Sequence, residues 1–495
     1  MIMPTLKQKS INGMLWTISE YLSVQLVSLI VTIILARLLE PSQFGLIGML
    51  AIFTAIAQSI MDSGFGSALI QKKDADNIDA SSIFFFNLII GAILAGILSL
   101  TAPLIAKFFN QPILIPITRV LSLGLIINAF SLVQTSLLTK TMDFRTQMRV
   151  GLAASIGSGV VGIIMAYLEF GVWALVGQTL SRSLIQAILL WLLNKWRPLF
   201  VISISALRSM FSFGSKLLIS GLIDTFFRNI YQTFIGRAFS PEDLGFYTKA
   251  YSLESTVTQS TSAALGKVLF PAMAPLQDQQ NFLKKAYRKT IRVSLFVHFP
   301  LMIGLWATAD PLMRLLLTNK WAPSIPYFQI LCIVGLFYPL HSLNLNILKV
   351  KGRSDLFLRL EIIKKVNTVL AIIVTFRFGI MGLLYGQLAS TVIAYFLNSF
   401  FSGQLINYSQ WDQIKDLFPA FITALIMGGA MFFVGWIPVK NYLPKIVIQT
   451  LTGISVYYLI SLFINSSELN EVTSISKNVL GNILIKLKVV LCRNR

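Results

Sequence analysis

The sequence predicts an all-α polytopic membrane protein, and three observations support that prediction. Hydrophobic residues make up 55% of the 495 residues, and charged residues make up only 12%. The mean hydropathy is +0.73, whereas a typical soluble domain carries about 25% charged residues. Apolar runs of about 20 residues, each long enough to cross a hydrocarbon core as a helix, recur along the chain to about Ile464. A soluble enzyme is therefore excluded.

The apolar runs predict fourteen transmembrane helices. The first seven are expected near 13–36, 44–61, 82–106, 114–138, 150–168, 172–193 and 213–236. The other seven are expected near 245–269, 293–317, 327–348, 362–379, 381–404, 418–437 and 444–464. The eighth helix is the least apolar, because it contains Lys249, Glu254 and many Ser and Thr residues.

The predicted helices group into two six-helix bundles followed by a pair of further helices. The expected parts are an N-terminal bundle at 1–194, a second bundle at 195–405, helices 13 and 14 at 406–465, and a tail at 466–495. The loops between helices are short, so they leave no room for a soluble catalytic domain.

The distribution of basic residues predicts the orientation in the membrane. The net charge is +21, and most of the 41 Lys and Arg residues fall in loops on the side of the N-terminus. Because cytoplasmic loops of membrane proteins carry the excess of Lys and Arg, both termini are expected in the cytoplasm of a multi-pass inner-membrane protein. A nucleic-acid partner is not expected, since these residues lie in short loops rather than on one solvated face.

An internal repeat supports the two-bundle plan. The stretch ARLLEPSQFG at 36–45 recurs as GRAFSPEDLG at 236–245, and FGVWALVGQ at 170–178 recurs as FGIMGLLYGQ at 378–387. The halves are expected to enter the membrane in the same direction, as in transporters that bind substrate between two halves. In the repeated motif, Pro and Gly are expected to end one helix and permit a tight periplasmic turn, while Arg reaches lipid headgroups. A gating role for the motif is the alternative.

Three stretches carry a resemblance to a known family. They are ARLLEPSQFG, DSGFGSALIQKKDAD at 62–76, and PLMRLLLTNKW at 311–321. The chain resembles the polysaccharide-transport branch of the multidrug/oligosaccharidyl-lipid/polysaccharide exporter superfamily, and more narrowly the Wzx-type flippases of the colanic-acid exporter-like group. The resemblance implies alternating-access transfer of undecaprenyl-pyrophosphate-linked oligosaccharide from the cytoplasmic to the periplasmic leaflet. The product would feed exopolysaccharide, capsule or O-antigen assembly, with membrane lipids and a polymerase or export machinery as partners.

Ionisable residues inside the predicted helices are candidate site residues, because a charge in the membrane is costly. Asp224 and Arg228 lie one helical turn apart, so they can neutralise each other. Alternatively, Glu20 and Asp224 face a common aqueous cavity in which Arg228 binds a phosphate. In the resembled family, basic residues of helices 1, 2, 7 and 8 hold the lipid-linked pyrophosphate, which by position nominates Arg228 and Lys249.

Helices 1 and 2 lack a Lys or Arg in their cores, so Arg182 of helix 6 is a further substrate-binding candidate. The candidates for ion coupling are the carboxylates Glu20, Asp224 and Glu254, because a carboxylate in a partly dry cavity can exchange a proton or bind a cation. His298 and His341 are expected to be structural histidines bonded to neighbouring helices, with a proton relay as the alternative.

Catalytic and cofactor motifs are not found in the sequence. It has no Gly-rich phosphate loop followed by Lys and Ser or Thr, no metal-ligand cluster and no nucleophile elbow. No catalytic residue, cofactor or metal is therefore expected. Two other functions stay open: an ion-coupled drug or metabolite antiporter of the same fold, and a membrane glycosyltransferase or polymerase. The last would need a catalytic acid at a periplasmic helix end or in a large periplasmic loop, and only short loops are present.

Overall fold

The structure is a computed structural model that describes residues 23–62, 64–474 and 477. Across these residues the chain is helical and contains no strand. The predicted all-α fold class is confirmed. Within the described ranges, ten stretches are long and apolar enough to cross a membrane. Three of them, Pro41–Gln71, Ser324–Val350 and Ser354–Ile406, each contain two successive α-helices. The exact number of fourteen spans stays a prediction.

The helices are numbered in chain order. The first nine are α1 (described over Ser23–Leu38), α2 (Pro41–Asp62), α3 (Phe65–Gln71), α4 (Asn77–Phe109), α5 (Leu114–Lys140), α6 (Phe144–Tyr167), α7 (Val172–Leu193), α8 (Ile204–Ala238) and α9 (Pro241–Met273). The remaining eight are α10 (Gln280–Ala307), α11 (Ala309–Leu317), α12 (Ser324–Gly335), α13 (Tyr338–Val350), α14 (Ser354–Thr375), α15 (Gly379–Ile406), α16 (Gln410–Val434) and α17 (Tyr442–Phe463).

The ninth predicted span differs from the structure at both ends. Helix α10 begins 13 residues earlier, at Gln280 rather than 293. The added turns are amphipathic, since Leu283, Tyr287 and Ile291 are fully buried at a spacing of four residues while Lys and Arg residues occupy other faces. The helix ends at Ala307, and the separate helix α11 then follows. A search for apolar runs misses these basic turns, because it counts charged residues without regard to the side of the helix on which they lie.

The two copies of the repeated motif have the same backbone path. In each copy a helix ends, two residues follow, and the next helix begins at the proline, Pro41 or Pro241. The prediction that the glycines sit at the turn is wrong, because Gly45 and Gly245 lie inside α2 and α9. A Cβ on Gly45 would overlap the Pro241 carbonyl, and a Cβ on Gly245 would overlap the Pro41 carbonyl. The glycines therefore permit a reciprocal close approach of two backbones.

The motif at 62–76 has a local structural role at the start of α4. Gly64 precedes α3 in the left-handed conformation, with φ of 71°. Asp76 then forms a capping box with Asp79, in which each side chain accepts a hydrogen bond from the other residue's backbone N–H. The side chain of Lys72 reaches Asp79 at 2.6 Å. These contacts fix the entry of the chain into α4.

The chain divides into two compact units, Met1–Thr248 and Lys249–Arg495. The boundary falls inside α9. In the first unit the aromatic residue Phe84 lies in a buried cluster with Phe65, Ile83 and Val133. In the second unit, α10 packs against α12 and α16. The four-part division of the sequence into bundles, appended helices and tail stays a prediction.

Candidate functional site

The charged pair of the first unit lies on α8. Arg228 Nη2 donates to Asp224 Oδ2 at 2.6 Å, and the two side chains are 63% and 56% exposed. The spacing of four residues places both groups on one face of the helix, as the sequence predicts. Asp224 and Arg228 therefore form the ion pair that is expected if the two groups neutralise each other. The large exposure also leaves both groups accessible from outside the protein.

Lys249, the predicted substrate-binding cation of the second unit, is buried. Lys249 is 3% exposed, and its Nζ lies 5.6 Å from the centre of the Trp321 ring, at a distance typical of a cation–π contact. Trp321 is the last residue of the motif PLMRLLLTNKW, and its side chain is fully buried in the protein. The sequence alone does not show this contact, because the two residues are 72 positions apart.

The carboxylate of Glu254 lies one turn and a half further along α9. It is 6% exposed and accepts a hydrogen bond from the Thr258 hydroxyl. A side chain at Gly335, the last residue of α12, would overlap Glu254 Oε1. On α10, His298 Nε2 lies 3.0 Å from the Gly335 carbonyl oxygen. One glycine of α12 thus separates a buried carboxylate from a buried imidazole.

Gly335 and Thr258 are site residues that the sequence analysis missed. Neither carries a charge, and neither belongs to a repeated motif. Their signal is visible only in three dimensions: a small residue where a carboxylate approaches a backbone, and a hydroxyl one helical turn from that carboxylate.

His298 and His341 contact neighbouring helices, as is expected of structural histidines. His298 meets the α12 carbonyl described above, and His341 Nδ1 lies 3.1 Å from Asn398 Nδ2 on α15. His298 Nδ1 is buried, and among the described residues it has no hydrogen-bond partner. One ring nitrogen of His298 is therefore left without a hydrogen bond in the part of the chain that is described.

The remaining candidates are not brought to these clusters. Arg182 is exposed on α7 and forms no ion pair with any described acidic residue. Glu20 lies outside the described residues. Lys249 and Glu254 share the second unit, whereas Asp224, Arg228 and Arg182 belong to the first.

Relatives of known name match most of the chain. It is 27% identical over 360 residues to the teichuronic acid biosynthesis protein TuaB of Bacillus subtilis, covering 72% of this chain and 74% of TuaB. It is 23% identical over 401 residues to the lipopolysaccharide biosynthesis protein WzxC of Escherichia coli, covering 79% and 81%. It is 26% identical over 300 residues to the succinoglycan biosynthesis transport protein ExoT of Rhizobium meliloti, covering 61% of each chain.

Solved structures show the same fold. The lipid II flippase MurJ in an inward closed conformation superimposes with a TM-score of 0.73 at 14% identity, covering 91% of this chain and 99% of MurJ. An inward-facing multidrug transporter of the MATE family superimposes with a TM-score of 0.61 at 17% identity, covering 79% and 99%. At such low identities these likenesses establish the architecture alone.

The predicted resemblance is confirmed by the family that the chain matches. The match carries the description "Polysaccharide biosynthesis protein" and extends over residues 34–326, more than half of the sequence. It includes both copies of the Arg-x-x-x-Pro-x-x-x-Gly motif and ends beyond Trp321. The chain therefore belongs to the polysaccharide biosynthesis protein family of membrane proteins.

Proposed function

We propose that the protein is a flippase that moves undecaprenyl-pyrophosphate-linked oligosaccharide units from the cytoplasmic to the periplasmic leaflet by alternating access. The observation that carries the proposal is the family match over residues 34–326, together with relatives that are named for teichuronic acid or lipopolysaccharide biosynthesis and match most of the chain. The name of ExoT describes a transport protein, and the MurJ fold is that of a flippase. The protein is a transporter rather than an enzyme.

The pyrophosphate of the substrate is assigned to cationic side chains. Lys249 is the leading candidate, because burial in a low-dielectric environment strengthens its attraction for an anion. Arg228 offers a planar fork of donors on an exposed face, where a substrate phosphate would compete with Asp224 for the guanidinium. Arg182, also exposed, is a third contact along the path of the substrate.

Coupling to an ion gradient is assigned to Glu254. A carboxylate that is 6% exposed changes its hydration greatly when it binds or releases a proton or a cation. Thr258 supplies a hydrogen bond, and His298 lies across Gly335. Glu20 and Asp224 are further coupling candidates, and the Asp224 carboxylate is shared with Arg228.

The proposed location is the inner membrane, with both termini in the cytoplasm. The loop between the short 3₁₀ helix at Ala274–Leu276 and α10 is then cytoplasmic, and the turn before α9 is periplasmic. A single cysteine at Gln279 is expected to react with an impermeant thiol reagent only after the membrane is opened, whereas one at Glu242 reacts in intact spheroplasts. The reverse pattern would contradict the orientation.

The function is tested by deleting the gene and extracting the lipid fraction. A flippase deletion is expected to accumulate a lipid-linked repeat unit on the cytoplasmic face, where its sugar is protected from a periplasm-added glycosidase. A lost glycosyltransferase would instead give an incomplete repeat unit, and a lost polymerase would leave the complete unit accessible from the periplasm. Either of those results would reject the flippase.

A drug or metabolite antiporter is the second candidate, supported by the MATE-like fold. The lower TM-score and the polysaccharide family match favour the flippase. Purified protein in vesicles that effluxes cationic dyes, but leaves lipid-linked oligosaccharide on one face, would favour the antiporter.

A further inference from the structure

A cavity of about 190 Å³ lies in the second unit among α10, α16 and the residues that follow α17. Its lining combines polar and apolar side chains, among them Arg292, Phe296, Asp416, Leu417, Ser461 and Glu468. The start of α16 and the end of α17 meet here, at the level that the charge distribution places near the cytoplasmic headgroups. None of these residues is used in the proposed transport site.

Two polar atoms in the lining have no hydrogen-bond partner among the described residues. Ser461 is 2% exposed, and its hydroxyl makes no hydrogen bond to any described residue. Arg292 Nε is likewise buried without a partner in the described part of the chain, although another nitrogen of its guanidinium pairs with Glu468. A buried donor left unpaired is costly, so both atoms indicate a ligand acceptor or water in the cavity.

The carboxylates of the cavity have the opposite chemistry. Asp416 accepts hydrogen bonds from Arg288 and from the Tyr408 hydroxyl. Glu468 accepts from Arg292 and from the Ser466 hydroxyl at 2.8 Å. A carboxylate has about four lone-pair sites, so each group keeps capacity for a further donor. Donors for an anion and acceptors for a cation therefore face the same small cavity.

The apolar part of the lining continues from these polar groups. Leu295 and Phe296 of α10, Leu417 and Ala420 of α16, and Ile464 after α17 contribute to it. An apolar wall beside a polar end suits an amphipathic ligand whose head is charged and whose chain is lipophilic. Such molecules surround any protein embedded in a bilayer.

We propose that this cavity binds one phospholipid with a zwitterionic headgroup that contains a primary ammonium, as in phosphatidylethanolamine. The headgroup phosphate accepts hydrogen bonds from Arg292 Nε and the Ser461 hydroxyl. The ammonium donates to Asp416 and Glu468, and the start of an acyl chain lies against Phe296 and Leu417. A quaternary ammonium has no N–H to donate, and an anionic headgroup without an amine leaves the two carboxylates facing further negative charge.

The test measures lipid binding to the purified, delipidated full-length protein by native mass spectrometry. The probes are phosphatidylethanolamine, phosphatidylcholine and phosphatidylglycerol with identical acyl chains. We expect one tightly retained phosphatidylethanolamine per protein, with about tenfold weaker binding of the other two, because a hydrogen bond to a charged group is lost or opposed.

The decisive variant is Ser461→Ala. The Ser461 hydroxyl has no protein partner among the described residues, so its removal is expected to leave thermal stability unchanged. It should weaken phosphatidylethanolamine binding about tenfold. Ser461→Leu, which fills the cavity, should abolish the retained lipid. Arg353→Gln is the matched control, since Arg353 pairs with exposed Asp355 outside the cavity, and it should bind lipid normally.

Equal binding of the three lipids, or unchanged binding in Ser461→Ala, would overturn the proposal and leave a hydrated cavity. Preferential binding of phosphatidylglycerol would overturn it in favour of an anionic lipid. Because binding is measured without transport, these results are independent of whether the protein is a flippase.

Discussion

The charges of α8 and those of α9 differ in what the surrounding protein does with them. On α8, Asp224 and Arg228 are more than half exposed and paired at 2.6 Å. On α9, Lys249 and Glu254 are 3% and 6% exposed, against Trp321 and Thr258 respectively. In the sequence the two pairs look the same, because each consists of charged residues inside a predicted membrane helix.

The difference has an energetic meaning. An exposed pair four residues apart costs little to keep and contributes about 0.3–0.5 kcal/mol. A buried ion loses several kcal/mol of hydration, which its partners must offset. The burial of Lys249 and Glu254 is therefore a stronger indication of function than the exposed ion pair on α8.

The largest effect is expected for Lys249→Met, which keeps a long unbranched side chain and removes its charge. Loss of a buried cation that binds a pyrophosphate is expected to cost about 2 kcal/mol or more, on the order of a thirtyfold loss of export. Complementation of a deletion strain at matched protein level measures it. Lys440→Met, at an exposed lysine in the segment before α17, serves as the control. Equal export in the two variants would remove Lys249 from the site.

Glu254→Gln is expected to reduce export about tenfold, because a hydrogen bond to a buried charged group contributes roughly 1.5–3 kcal/mol. Its more specific effect concerns coupling: the residual export should no longer respond when the proton or sodium gradient is collapsed. Glu242→Gln, at an exposed carboxylate in the first turn of α9, should retain the response. A full gradient response in Glu254→Gln would show that the carboxylate is structural.

A smaller loss is expected at Arg228, about fivefold for Arg228→Ala and less for Arg228→Lys, which keeps the charge but not the planar donor fork. The double variant Asp224→Asn with Arg228→Gln separates the two readings of the pair, because neither charge is then left alone. We expect export to stay low in the double variant. Recovery to the wild-type level would mean that Arg228 only neutralises Asp224.

The smallest effect concerns the ion pair between Arg292 and Glu468, and it depends on pH. Burial raises the pKa of the Glu468 carboxyl, but hydrogen bonds from its own backbone N–H and from Ser466, with the charge of Arg292, outweigh burial and hold the pKa below its ordinary value. The stabilisation is therefore complete above the ordinary value near 4.5 and is lost as the pH falls through the lowered value.

Glu468→Gln should consequently lower the free energy of unfolding by about 1 kcal/mol or less at pH 7, with little difference from wild type in strong acid. Thermal unfolding of both proteins between pH 3 and 7 measures this. A difference that grows towards low pH would contradict the sign of the pKa shift.

The sequence determined the class of this protein and the position of its charges along the chain. Hydropathy predicts membrane helices because a long apolar segment is more stable in the membrane, where it satisfies its backbone hydrogen bonds as a helix, than in water. This prediction needs no information on tertiary contacts. The motifs near Pro41 and Trp321 were sufficient for the family. The repeat was also visible, although the role of Gly45 and Gly245 was not, since a close approach of two backbones leaves no trace in a single segment.

Only the tertiary structure separated Arg228 from Lys249. Both are cations within helices, and the sequence nominated them together. Their exposures differ because burial depends on helices far away in sequence, such as the segment that carries Trp321. The same holds for Glu254, whose neighbours Gly335 and His298 come from two other helices. Periodicity records which face of a helix is apolar, whereas the groups that meet that face are decided by how the helices pack.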